Sequence, residues 1–327
     1  MRLSRTAVTA FCIGLAAACA QAEPYPAPEA TRLVYALPVS VPASLAYIAI
    51  DKGFFKKQGL DVEGKMFSSG REALQMLLAG QAQLQSVSET PVVHAIVQGN
   101  KIATVATISR HHEAKILART DHGISKPSDL RGKKVATMPG TNADYFMHRF
   151  FEKQGIPLDQ VRITNMAPPD MIVQLAKGDI DAYFGWEPHI AYGHRPLPGK
   201  TIEFHPGDLY YGRNTVNVNP DFARKNPNTV RAALRALLQA EEFMRAHPDE
   251  GTALVAKRLQ MEPAVVGKLM KEITYKVELD SGLVPLMTGI GRWALQQRNR
   301  ASDPVPDIRS HLYDEFLRQE RPSAVGL

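Results

Sequence analysis

Residues 67–91 read FSSGREALQMLLAGQAQLQSVSETP, and the fold turns on how they are divided. A run of helical character follows Gly70 and stops at Gly80. LQSV (84–87) then reads as a short strand, and SETP brings an acidic residue close to a proline. Residues 170–188, DMIVQLAKGDIDAYFGWEP, repeat that order: helix, glycine stop, strand, acidic residue, proline. Helix, glycine and strand recur in any α/β protein, so the repeat alone leaves a single sheet open. Two similar βαβ units within one chain predict two lobes whose strand-end loops face a shared cleft, the place where open α/β sheets bind ligands.

The flanking sequence extends the scheme. LVYAL (33–37) is a candidate first strand, and PVSVPAS leads into a helix, SLAYIAIDKG, ended by Gly53. LDVEGKMF (60–67) and IATVATI (102–108) read as strands on either side of the opening unit, with a helix from Pro91 to Gln98 between LQSV and IATVATI. After LAR (117–119) come a strand KKVAT (133–137), a helix over 140–155, the strand VRIT and a helix opened by Pro168. Beyond Asn217 the chain reads as largely helical, including Thr229–Arg245, with ASDPVPD (301–307) as a loop.

Composition narrows the classes of function. The first 22 residues, with Arg2, Arg5, an apolar stretch from Ala7 to Ala18 and Ala20-Gln21-Ala22 before Glu23, have the pattern of a secretory signal peptide. Export to the periplasm as a soluble protein is the expectation, ahead of lipid anchoring at Cys19. Both cysteines, Cys12 and Cys19, fall inside this leader, so the remaining chain offers no thiol for a disulfide, a nucleophile or a thiolate metal site. About 300 remaining residues suit two domains. Losing Arg2 and Arg5 takes two from a formal charge of +6, and the remaining charges are interspersed. A small anion suits this balance; a nucleic acid, which asks for a clustered basic face, does not.

Chemical motifs are sparse. His111-His112-Glu113 and the histidines at 189, 194 and 205 lack metal-ligand spacing, so no metal and no cofactor are expected. Gly132-Lys133-Lys134 lacks the rest of a phosphate-binding loop, and no G-x-S-x-G elbow occurs. What stands out is the mouth of the opening helix. Ser69 with Glu72 three residues on makes a capping box. The same free backbone donors and the positive end of the helix dipole also suit an anion.

Five stretches, DKGFFKKQGLDVE (51–63), FSSGREALQMLLAGQAQL (67–84), the SETP turn, GISKPSDLRGKKVATMPGT (123–141) and LAKGDIDAYFGWEP (175–188), in this order, resemble the periplasmic solute-binding proteins of ABC importers for alkanesulfonates, taurine and nitrate, a group that includes thiamine-pyrimidine precursor binders. The resemblance implies a two-lobed type II periplasmic-binding fold: two mixed α/β sheets flanked by helices, an interlobe cleft and a helical C-terminal part. Residues 31–118 plus 216–327 would form lobe I and 119–215 lobe II, with crossovers near Leu117–Asp121 and Asn214–Asn219. It also implies a monomer that delivers a small organic anion to a membrane permease and its ATPase. Nitrate or a heteroaromatic is the alternative solute. An enzyme of the same fold, a desulfinase or pyrimidine synthase, would need the cysteine that this chain lacks outside the leader.

By position, the resemblance implies first-lobe contacts from Ser40 and Ser44, from Ser68, Ser69, Gly70 and Arg71, and from Ser88, Glu89 and Thr90. The second lobe would add Gly140, Thr141 and Asn142, then Trp186 and Glu187, with Arg213 near the second crossover. Each has an ordinary alternative. Ser69, Thr141 and Asn142 suit helix capping, Arg71 and Arg213 a solvent-facing guanidinium, and Trp186 the wall between lobes. Glu187 suits either a solute ammonium or backbone donors. Ser69 is expected to cap, and Ser68 and Gly70 to meet the solute.

Overall fold

The computed structural model describes residues 25–112, 114–205 and 207–327; the leader assigned to residues 1–22 lies outside them. The first lobe begins with β1 (Arg32–Pro38), α1 (Ser44–Asp51), α2 (Phe54–Lys57), β2 (Asp61–Phe67), α3 (Gly70–Leu78), β3 (Leu84–Ser88), α4 (Glu89–Val97) and β4 (Ala103–His111). The chain then enters the second lobe through β5 (Lys115–Arg119), β6 (Lys134–Thr137), α5 (Asn142–Lys153), β7 (Arg162–Asn165), α6 (Pro168–Lys177), β8 (Ala182–Gly185), α7 (His189–His194) and β9 (Thr201–Phe204). It returns with β10 (Gly212–Val218), α8 (Pro220–Lys225), α9 (Pro227–Ala246), α10 (Pro248–Arg258), α11 (Pro263–Met270), β11 (Ile273–Glu278), α12 (Leu283–Gln296) and α13 (Asp314–Glu320).

Two mixed sheets result, ordered β11-β4-β10-β3-β1-β2 and β7-β6-β8-β5-β9. In the first, β1 runs parallel to β2 and β3, while β10 is antiparallel to both of its neighbours. In the second, period-two alternation divides the core between the faces. Ile116, Ala118, Ala182 and Phe184 pack with Phe146, Phe150 and Phe151 of α5, whereas Leu117 and Tyr183 pack with Met171 and Leu175 of α6. Strand ends carrying α3, α4 and α5 are thereby directed at the gap between the sheets.

The chain changes sheets between β4 and β5 and between β9 and β10, before the crossovers that the resemblance implies. Leu117 lies within β5, paired to Tyr183 and Glu203, and Asn214–Val218 lie wholly within the first sheet. The shift has a physical cause. Lys115 and Arg213 are charged yet buried, and the partners that permit this, Glu187 and Asp280, are far away in sequence. β11 was also not anticipated within the helical C-terminal part, although Ile273, Tyr275 and Val277 alternate as a strand requires.

Candidate functional site

Three helix N-termini meet in the gap between the lobes. At α3 the capping box forms as anticipated: Glu72 N donates to Ser69 Oγ at 3.2 Å, and Ser69 N donates to Glu72 Oε2 at 3.3 Å. Ser68 Oγ also donates to Glu72 Oε2, at 2.7 Å, so this hydroxyl is spent on the helix mouth and not on the cleft. Gly70 begins the helix because nothing larger fits: a Cβ there would lie 2.0 Å from Val87 Cγ2 on β3. At α5, Thr141 Oγ1 accepts from Asp144 N, and Asp144 Oδ2 accepts from Gly140 N at 2.7 Å. Gly140 takes a positive φ of 74°, which favours glycine. Burial lifts the Asp144 carboxyl to about 6. At α4, the N-cap residue Ser88 makes no side-chain capping bond.

These mouths share one small pocket. Ser40, Gly70, Arg71 and Ser88 line it from the first lobe, and Thr141, Asn142 and Trp186 from the second. Pro38, Val87, Pro91 and Asn214 complete the wall and were not anticipated. The remaining space is about 10 Å³, roughly one water. Two buried amides leave polar atoms unpartnered here, Asn142 Nδ2 and Asn214 Oδ1. Unpaired polar atoms in a buried place cost stability unless something else satisfies them. Asn214 falls at the crossover that the resemblance implies, so its sequence offers only the asparagine spacing in NTVNVN (214–219) as a hint.

Other anticipated residues lie elsewhere or have different work. Ser44 Oγ donates to Val41 O and Thr90 is fully buried in the first turn of α4. Glu89, also fully buried, accepts from Tyr210 O–H and from Arg213 N at 2.8 Å, so its carboxylate ties the returning chain to α4. Burial pushes its pKa up, and those two bonds oppose the rise. The Arg213 guanidinium engages Asp280 through Nη2 at 2.9 Å and Nε at 3.2 Å. Glu187 has an ammonium partner, but the chain supplies it: Lys115 Nζ lies 3.1 Å away, and Ala191 N also donates to Glu187. A solute ammonium is therefore not needed to explain this carboxylate. Lys115 further approaches Glu203 at 3.6 Å and, across the lobes, Glu272 at 3.9 Å.

Other bonds draw the lobes together around the pocket. Arg71 Nη1 donates to Pro139 O at 2.9 Å, Trp186 Nε1 to Val39 O at 3.4 Å, and His189 Nε2 lies 3.1 Å from Ser68 O. Burial lowers the His189 pKa to about 4, so the ring is neutral near pH 7 and Nε2–H can donate to that carbonyl. Gly140 falls just outside the pocket, on a groove of about 500 Å³ that shares Arg71 and Pro91 with it. Among the described residues no three His, Cys, Asp or Glu side chains come together as a metal site would require.

The model of the family described as NMT1/THI5 like matches residues 43–251, nearly two thirds of the chain. The chain belongs to the NMT1/THI5-like family. Similar to this NMT1/THI5-like chain is the taurine-binding periplasmic protein of Escherichia coli, 30% identical over 204 residues, 61% of this chain and 62% of that one. A Brucella abortus protein named only as a binding protein is 26% identical over 224 residues, 68% of this chain and 69% of that one. The fold is that of the periplasmic binding proteins: the alkanesulfonate-binding protein SsuA from Xanthomonas axonopodis pv. citri, bound to MOPS, superposes with a TM-score of 0.77 at 17% identity, over 89% of this chain and 99% of that one.

Proposed function

We propose that this chain is an extracytoplasmic solute-binding protein that captures a small organic anion, of the alkanesulfonate or taurine kind, between its lobes and delivers it to an ABC importer. The observation that carries the reading is the convergence of the α3, α4 and α5 N-termini on one interlobe pocket with the unpartnered Asn142 amide. A helix N-terminus presents free N–H donors and a partial positive charge, and each contributes about 0.3–1 kcal/mol toward a nearby anion at an exposed site and more when partly buried. Membership of the NMT1/THI5-like family supports it, as does a relative named for taurine.

Ser40, Gly70, Arg71, Ser88, Thr141, Asn142 and Trp186 are the proposed contacts, joined by Asn214. The remaining anticipated residues shape the helix mouths and the crossovers. With space for about one water, the lobes must part to admit a solute and close again on it. Closure selected by contacts from both lobes is what an importer can recognise. The protein acts in the periplasm, as a monomer, with a permease and its ATPase as partners.

Calorimetric titration with ethanesulfonate, taurine and nitrate tests this. Saturable heat at one site per chain is expected for the sulfonates. An absence of heat from all three solutes would overturn the reading.

A further inference from the structure

The groove beside the central pocket has a chemistry of its own. About 500 Å³ in volume, it lies within the range of small-molecule sites, and it shares Arg71 and Pro91 with the pocket. Its walls come from both lobes: α3, α4 and the turn after α12 on one side, and β6, the Pro139-Gly140 turn, α5 and β7 on the other. Arg298, on that turn, has no side-chain hydrogen bond or ion pair among the described residues. Thr137, 1% exposed at the end of β6, has no partner for Oγ1 and forms part of the wall.

Arg71 and Arg298 line the same groove as His94. Burial, with the positive charges of Arg298 and Arg71, lowers the His94 pKa to about 4, so this ring adds no charge to the groove near pH 7. Burial also lowers the His148 pKa. The one carboxylate in the groove, Asp144, is already bonded to Gly140 N. Arg298, Arg71 with Nη1 given to Pro139 O, one occupied carboxyl and one unpartnered hydroxyl thus line a single cavity.

Resting on the solute-binding reading above, we propose that this groove is the second half of the site and that the solute is an elongated organic dianion. One anionic end sits at the helix mouths, and a carboxylate at the other lies between Arg71 and Arg298 within reach of Thr137. A planar guanidinium matches a carboxylate with two parallel bonds, so the groove selects for a terminal carboxylate over a methyl group.

Matched sulfonates test the proposal by calorimetry on the full chain: propane-1-sulfonate against 3-sulfopropanoate and 4-sulfobutanoate. At least one carboxylate-bearing solute should bind tenfold or more tightly than propane-1-sulfonate. Arg298→Gln, at an exposed position, should remove that advantage and leave propane-1-sulfonate within twofold. Equal binding of all three, or an advantage that survives in R298Q, would overturn the dianion while leaving the solute-binding reading standing. Failure of all three to bind would overturn both.

Discussion

Glu187 illustrates how a residue's neighbours decide its work. Beside Trp186 at a strand end it suited a solute ammonium, yet Lys115, 72 positions earlier, supplies that charge at 3.1 Å with both side chains nearly excluded from solvent. Removing one member of a buried pair strands the other, which costs about 3–5 kcal/mol. Lys115→Met should lower stability by that amount in urea unfolding, and Lys115→Met with Glu187→Gln should recover part of it. A loss below about 1 kcal/mol would mean that the pair is solvated and the geometry wrong. The same lesson applies to Ser68 and Arg213. Nothing in FSSGRE says that Ser68 bonds Glu72 while its carbonyl meets His189, because the histidine comes from the other lobe. Local capping at Ser69 was legible since both partners lie within one turn.

Elements were legible where their signal is local. Glycine stops, the Pro168 helix start and the strand in DAYFG all appear where the sequence places them. β5 and β10 do not follow the crossovers that the resemblance implies, because Glu187, Asp280 and Glu89, which let Lys115 and Arg213 lie buried in these strands, are distant in sequence. At the element scale the most demanding contact is α3 on β3. Adding one methyl at Gly70 places it 2.0 Å from Val87 Cγ2, and Val87 is held in a central strand. Gly70→Ala should therefore push α3 away and lower stability by about 1–3 kcal/mol, the usual range for overpacking. Thermal unfolding should show partial recovery when Val87→Ala is added. An unchanged melting temperature in Gly70→Ala would show that the helix mouth does not need this close approach.

At the scale of the whole molecule, the two-lobed plan was readable from the repeat at 72–91 and 170–188, since each unit carries its own strand and helix pattern. Which side chains meet across the cleft was not readable, because convergence of α3, α4 and α5 depends on how two separately built sheets face each other. Asn214 is the clearest case: it enters the pocket only because β10 crosses back between β3 and β4. Closure also places both tryptophans of the sequence at the lobe boundary. Trp186 walls the pocket, and Trp293 of α12 packs 5.1 Å from the Tyr145 ring and 5.4 Å from the His148 ring of α5. Any solute that parts and recloses the lobes must change their surroundings.

The most direct test of interlobe anion capture is thus an intrinsic-fluorescence titration of the wild type and Asn142→Ala with ethanesulfonate. Loss of a hydrogen bond to a charged group costs about 1.5–3 kcal/mol, so the account predicts a saturable change at one solute per chain and binding at least about tenfold weaker in Asn142→Ala. A wild-type signal without saturation, or equal affinity in the two proteins, would contradict it.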